Sequence, residues 1–281
     1  MAILQENRYG KSGVRLVKVT RNGPVHTVRE WTVRVLLEGD FETAHTVGDN
    51  SKILPTDTMK NTVYSRAKES KAESMEDFAG ELIDFLLSRN QQVSSAEVHI
   101  EQVMWKRLTI DGELHPHSFM RGSDELQTTT VRRTKDGETS LVSGLHNMIV
   151  LKTTKSSFEG YIKDELTTLK EAADRLFETS VTASWLYRGD VTSYDAARAN
   201  IRESMLRTFA THDSKSVQQT LFAMAEDALA AVPELLEMTL TMPNIHNILV
   251  DLKVFGQENV NEIFMPISDP SGFIHARVTR D

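Results

Sequence analysis

Two apolar periodicities occur in the same order in each half of the chain. In the first half Val14, Leu16 and Lys18 alternate with Arg15, Val17 and Val19. The turn Arg21-Asn22-Gly23-Pro24 follows, and Asn-Gly is a strong hairpin signal. Trp31, Val33, Val35 and Leu37 then share one parity, with Glu30, Thr32 and Arg34 on the other. This pattern predicts an antiparallel hairpin with one buried face. The period changes to four at Met59, Val63 and Ala67, which predicts a helix opening near residue 56, with Thr56 or Asp57 as its cap. Ser74 caps a second helix with the stripe Phe78, Leu82, Phe85 and Leu86. Residues 94–110 return to alternation and read as a second strand pair, with a bulge expected near Gln102. Residues 115–119 read as a further edge strand, because Pro116 suits only an edge or a strand start.

The second half repeats the order. Strands are expected at residues 128–134 and 141–151 around the turn 135–138, and at 177–185. A helix carries Ile201, Met205 and Phe209, and Ser216 with Gln219 forms a capping box before Val217, Leu221, Met224 and Ala228. Strands at residues 235–241 and 246–252 close the pattern around the turn Pro243-Asn244. The duplicated order of two strands, two helices and two strands gives an α+β class, an antiparallel sheet with helices on one face. The expected units are residues 1–135 and 136–281. Sheets of this kind leave edges, and closure with further copies of the chain removes them.

The formal net charge of -8 argues against non-specific nucleic-acid binding and against an anionic membrane surface. An anionic ligand would need locally placed donors. The chain has no cysteine, which excludes disulfides, thiol nucleophiles and Cys-based metal sites. No apolar run of about 18 residues suggests a membrane span. The sequence ends Val278-Thr279-Arg280-Asp281, not Ser-Lys-Leu, and the expected location is a bacterial-type cytoplasm.

Several residues suit ligand chemistry and equally suit structural roles. The helix opening at Ser216 is either an ordinary capped terminus or a set of N–H donors, with the Gln218 amide beside them, for a lactam edge. Phe158 reads as a core phenylalanine, and Arg175 as a surface residue able to offer a planar fork to an anionic carbonyl edge. Asn244 suits a turn, His246 a hydrogen-bonded sheet position, and Lys11 a solvated loop. His115 and His117 share a face and supply two possible metal ligands, too few alone for a zinc site.

The string Pro55-Thr56-Asp57-Thr58-Met59-Lys60-Asn61-Thr62-Val63-Tyr64 resembles the signature of the urate oxidase (uricase) family, with Pro55 where the family has alanine. Further blocks resemble it in order: Tyr9-Gly10-Lys11, Ser157-Phe158, residues 164–171 through Asp174-Arg175, Ser216-Val217-Gln218, and Pro243-Asn244-Ile245-His246. Glu159 departs from the bulky aromatic that often follows the phenylalanine. The resemblance implies two tandem T-fold (tunnelling fold) units per chain. It also implies a tunnel-shaped homotetramer with active sites between subunits. The activity implied is oxidation of urate by dioxygen to 5-hydroxyisourate and hydrogen peroxide, with no metal and no organic cofactor. By the same resemblance Phe158 stacks on the purine, and Arg175 and Gln218 clamp opposite edges. The Val217 N–H and Leu169 complete the pocket, and Thr56 and Asp57 come from the neighbouring chain. Asn244, with Thr56, holds the water or dioxygen site, and Lys11, Thr56 and His246 form a proton relay. Two other classes compete. One is a zinc-dependent pterin enzyme of T-fold architecture, which would use His115 and His117. The other is a non-catalytic purine-binding protein.

Overall fold

The computed structural model describes residues 2–281, so Met1, at the head of the first expected unit, lies outside the described residues. The chain divides into two compact units, one of residues up to Gly144 with Thr192–Asp195, the other of Leu145–Val191 with Ala196–Asp281.

The first unit contains β1 (Tyr9–Asn22), β2 (Val25–Gly39), α1 (Glu42–Thr46), α2 (Thr56–Glu69), α3 (Met75–Arg89), β3 (Val93–Ile110), β4 (Glu113–Thr134) and the start of β5 (Thr139–Lys152). β1, β2, β3 and β4 pair antiparallel in chain order. The alternation in β2 buries Trp31, Val33, Val35 and Leu37, and α2 and α3 cover that face with Met59, Val63, Phe78 and Leu82. The Trp31 and Phe78 rings stack at 5.0 Å, and the indole N–H donates to Gln102 Oε1 at 2.7 Å. Each such large side chain, removed from water, contributes about 1.5–3 kcal/mol. Phe85 is only half-buried, with the Arg66 and Arg89 guanidinium groups over its ring.

The second unit holds the rest of β5, β6 (Phe177–Tyr187), α4 (Tyr194–Thr211, from Ala196 on), α5 (Val217–Ala231), β7 (Leu235–Thr241), β8 (Asn244–Leu249), a single 3-10 turn at Lys253–Phe255, β9 (Phe264–Gly272) and β10 (His275–Thr279). β7 pairs antiparallel with β6 and β10, and β8 pairs with β6 and β9. Ile201, Met205 and Phe209 of α4 and Leu221, Met224 and Ala228 of α5 pack with Phe177, Val181 and Trp185 of β6 in the core.

Five expectations are corrected. The N-cap of α2 is Pro55 with no side-chain cap bond; the Asp57 carboxylate turns to Lys60 Nζ and Asn61 Nδ2 instead. Residues 94–110 are not a strand pair but lie in the single strand β3, whose ladder irregularity falls between Val103 and Trp105, beside the expected Gln102. Residues 115–119 are not a separate strand but part of β4. Pro116 sits where the register with β3 slips, and Arg107 bonds the carbonyls of His115 and Pro116 there. The strand expected at 246–252 runs Asn244–Leu249. The Ser216 hydroxyl accepts from the Gln219 N–H at 3.1 Å, but Gln219 Oε1 returns its bond to the Lys215 N–H at 2.8 Å, one residue outside a standard capping box. Strands β9 and β10 were not expected: Pro266 and Pro270 break the alternation of β9, and β10 has five residues.

Candidate active site

Two groups of candidate residues form, one in each unit. In the first unit Lys11 is the last paired residue of β1 before a bulge that ends at Val14. Gly13, inside the bulge, has a φ of +68°, a conformation glycine adopts without strain. Gly10 lies against β2 so closely that an added Cβ would stand 1.8 Å from the Val35 carbonyl oxygen. The half-buried Thr56 is the first residue of α2, and Asp57 is exposed beside it. The first helical bond, from Met59 N–H to the Pro55 carbonyl, leaves the N–H groups of the opening residues at an uncapped terminus, where anions are favoured. The Asp57 carboxyl is held below its ordinary range, chiefly by Lys60 and in smaller part by Asn61 and the charge of Lys11. The strand that carries Lys11 and the helix that Thr56 opens pack against each other.

In the second unit a loop carries Phe158 and is tied at three places. The Ser157 N–H donates to the Ser214 carbonyl at 2.8 Å, and Ser214 N–H to the Lys155 carbonyl at 3.0 Å. Ser214 is fully buried; its hydroxyl accepts from Thr220 at 2.8 Å and donates to the Ser216 carbonyl at 3.1 Å. These bonds fix the loop to the N-terminus of α5, where the Val217 side chain is buried in the core and the Gln218 side chain is exposed. Phe158 also pairs with Ala172, N–H to carbonyl at 2.8 and 3.2 Å. Asp174 accepts from the Thr154 hydroxyl at 2.7 Å and the Ser156 N–H at 3.2 Å, which holds its carboxyl below the usual range.

The next residue, Arg175, places its guanidinium carbon 5.4 Å from the centre of the Phe158 ring. It is half-buried, its Nε–H has no hydrogen-bond acceptor, and burial pushes its pKa down from the ordinary arginine value. An unpaired, partly desolvated cation is costly to keep and is a ready donor to an anion. Tyr161 stacks on Phe158 at 5.0 Å with 13° between the ring planes, and its hydroxyl donates to the Leu169 carbonyl at 2.7 Å. Leu169, Arg175, Asn244 and His246 line one cleft of about 830 Å3. Asn244 and His246 stand on β8 across an irregularity in its pairing with β9.

His115 and His117 do not build a larger ligand set. Their rings meet edge to face at 4.6 Å, and His115 Nδ1 accepts from the His117 N–H at 3.4 Å. Among the described residues there is no group of three or more His, Cys, Asp or Glu placed to hold a metal ion.

The model of the family described as Uricase matches residues 7–132 and 141–275. The chain belongs to the uricase family. Its members are urate oxidases, which are oxidoreductases. A uricase of Arthrobacter globiformis is 38% identical over 279 residues, 99% of this chain and 90% of its own length. A uricase of Aspergillus flavus is 39% identical over 295 residues, 100% of this chain and 98% of its own length. The crystal structure of uricase from Arthrobacter globiformis superposes with a TM-score of 0.93, covering 100% of this chain and 96% of that one. This agreement places the α+β arrangement in the T-fold class. Ser214, Thr220, Asp174 and Tyr161, which hold the candidate residues in place, escape a reading of spacing; the only sequence signal for them was their position inside or beside the family-like blocks.

Proposed function

We propose that this chain oxidises urate with dioxygen and water to 5-hydroxyisourate and hydrogen peroxide, with no metal or organic cofactor. It does so as a homotetramer whose active sites lie between subunits. The observation that carries the reading is the bonded assembly of Phe158, Arg175 and the α5 N-terminus in the second unit, in a chain of the uricase family. It offers a ring to stack on a planar heterocycle, an unpaired cation, a free amide and helix N–H donors. Those are the groups a flat, anionic lactam requires.

Urate gives up electrons readily as a dianion, so the site must remove a proton and hold the resulting charge. Arg175 and the α5 terminus stabilise that charge. Thr56 and Asp57 reach in from a neighbouring subunit, accompanied by Lys11. The Thr56 hydroxyl relays the urate proton to Lys11, and His246 passes a proton on. Asn244 holds the dioxygen or water above the purine plane. Two electrons leave urate for dioxygen, which departs as hydrogen peroxide, and water adds to the oxidised ring. A second copy has apolar surface to cover: Ile162 and Leu166 are 95% and 82% exposed on the segment between Phe158 and Leu169.

The variants Lys11→Ala and Thr56→Ala test the relay. Each should lose most of the turnover while the tetramer, measured by light scattering, survives. Near-full activity in both would overturn it.

A further inference from the structure

The Tyr9 hydroxyl makes two bonds to one distant residue. It accepts from the Leu54 N–H at 2.8 Å and donates to the Leu54 carbonyl at 3.1 Å, across 45 residues of sequence. Its ring meets the fully buried Phe41 ring edge-on at 4.8 Å, so the hydroxyl is aimed by the core rather than by solvent. On one side of this clamp, two residues along β1, stands Lys11. The intervening Gly10 packs directly on the β2 backbone, and Lys11 itself is paired with Val35. On the other side, two residues beyond Leu54, stands Thr56. The single intervening residue is Pro55, whose φ of -55° is fixed by its ring. Neither arm of the clamp has freedom to drift.

We propose that Tyr9 is a positioning residue for the proton relay: its paired bonds to Leu54 set the distance between Lys11 and Thr56. The inference rests on the relay reading given above. Burial raises the Tyr9 pKa, against a smaller lowering by the Leu54 bond, so the hydroxyl stays protonated and able to donate. β1 packs against α2, and the Tyr64 hydroxyl of α2 donates to the Arg15 carbonyl of β1 at 3.3 Å, so the two arms end on elements in contact. Pro55, where the family signature has alanine, shortens the slack on the Thr56 side. Sequence spacing marks neither bond, because Tyr9 falls where the strand begins and Leu54 where the helix has not yet started.

The test is Tyr9→Phe, which keeps the ring against Phe41 and removes both bonds. Displacement of a relay group by about 1 Å costs on the order of 100-fold in rate. We expect kcat for urate to fall by about 10- to 100-fold, with a much smaller change in KM. In a Thr56→Ala background the same substitution should cost nothing further, because the group it positions is gone. Leu86→Ala, a fully buried position of α3 outside the clamp, is the control: it should lower the melting temperature and leave kcat near wild type. A wild-type kcat in Tyr9→Phe, an equal loss in the Thr56→Ala background, a loss carried by KM, or failure of Tyr9→Phe to fold would each overturn the inference. If Lys11→Ala and Thr56→Ala are themselves fully active, the relay reading has failed. If they are inactive and Tyr9→Phe is not, only the role of Tyr9 has failed.

Discussion

Arg175→Ala separates a structural arginine from a ligand-binding one. A structural arginine is held by acceptors, and its removal strands them. Arg175 has a buried Nε–H with no acceptor, and it rests over the Phe158 ring at 5.4 Å. Losing a cation from a ring face costs about 0.5–1 kcal/mol. Relieving a buried donor of its missing partner returns about 1–3 kcal/mol. The gain offsets the loss or exceeds it, so the melting temperature should not fall and should rise by at most about 5–10 °C. The ligand side is not offset. Two guanidinium N–H donors facing an anionic edge contribute about 1.5–3 kcal/mol each when counted singly. Taking the pair at about 3 kcal/mol, the dissociation constant for urate should rise by roughly two orders of magnitude. Binding is read without dioxygen, by fluorescence or calorimetry, so that no turnover intervenes. A large fall in melting temperature with a urate affinity within roughly threefold of wild type would refute the reasoning.

Three further perturbations address the supports of the site. Gly10→Ala would place a Cβ 1.8 Å from the Val35 carbonyl oxygen, and should destabilise the β1–β2 hairpin by about 3 kcal/mol or more, read by denaturant melts. Ser214→Ala leaves the buried Thr220 hydroxyl and the Ser216 carbonyl without their partner; it should cost about 1–3 kcal/mol of stability and raise KM for urate. Asp174 has a folded-state pKa below its ordinary value, through the Thr154 hydroxyl first and the Ser156 N–H next. Its bonds therefore stabilise the loop above the ordinary aspartate pKa of about 3.9 and fade as pH falls through that range. The stability difference between wild type and Asp174→Asn should be present at neutral pH and shrink below about pH 4.

Much of the fold was legible because burial has a period. The parity of Trp31, Val33, Val35 and Leu37 and the four-residue spacing of Met59, Val63 and Ala67 each marked a buried face. What escaped was decided by competition or by distance. Asp57 could cap α2 or pair with Lys60 and Asn61 one turn ahead, and the local pairs won. Two prolines hid β9, whose pairing is supplied by β8. Phe158, Arg175 and Gln218 stood out by resemblance, but the ties that hold them did not. The bonds joining Ser157 to Ser214 span 57 residues, and those joining Tyr9 to Leu54 span 45. No periodicity encodes a contact of that range.

Under the proposed function the polypeptide alone oxidises urate. The most direct measurement follows the near-ultraviolet absorbance of urate in air, with protein pretreated with a chelator and hydrogen peroxide assayed in the same vessel. The absorbance should decay at an undiminished rate, and one hydrogen peroxide should appear for each urate lost. An absorbance that persists, or a decay abolished by the chelator and restored by added metal, would contradict the proposed function.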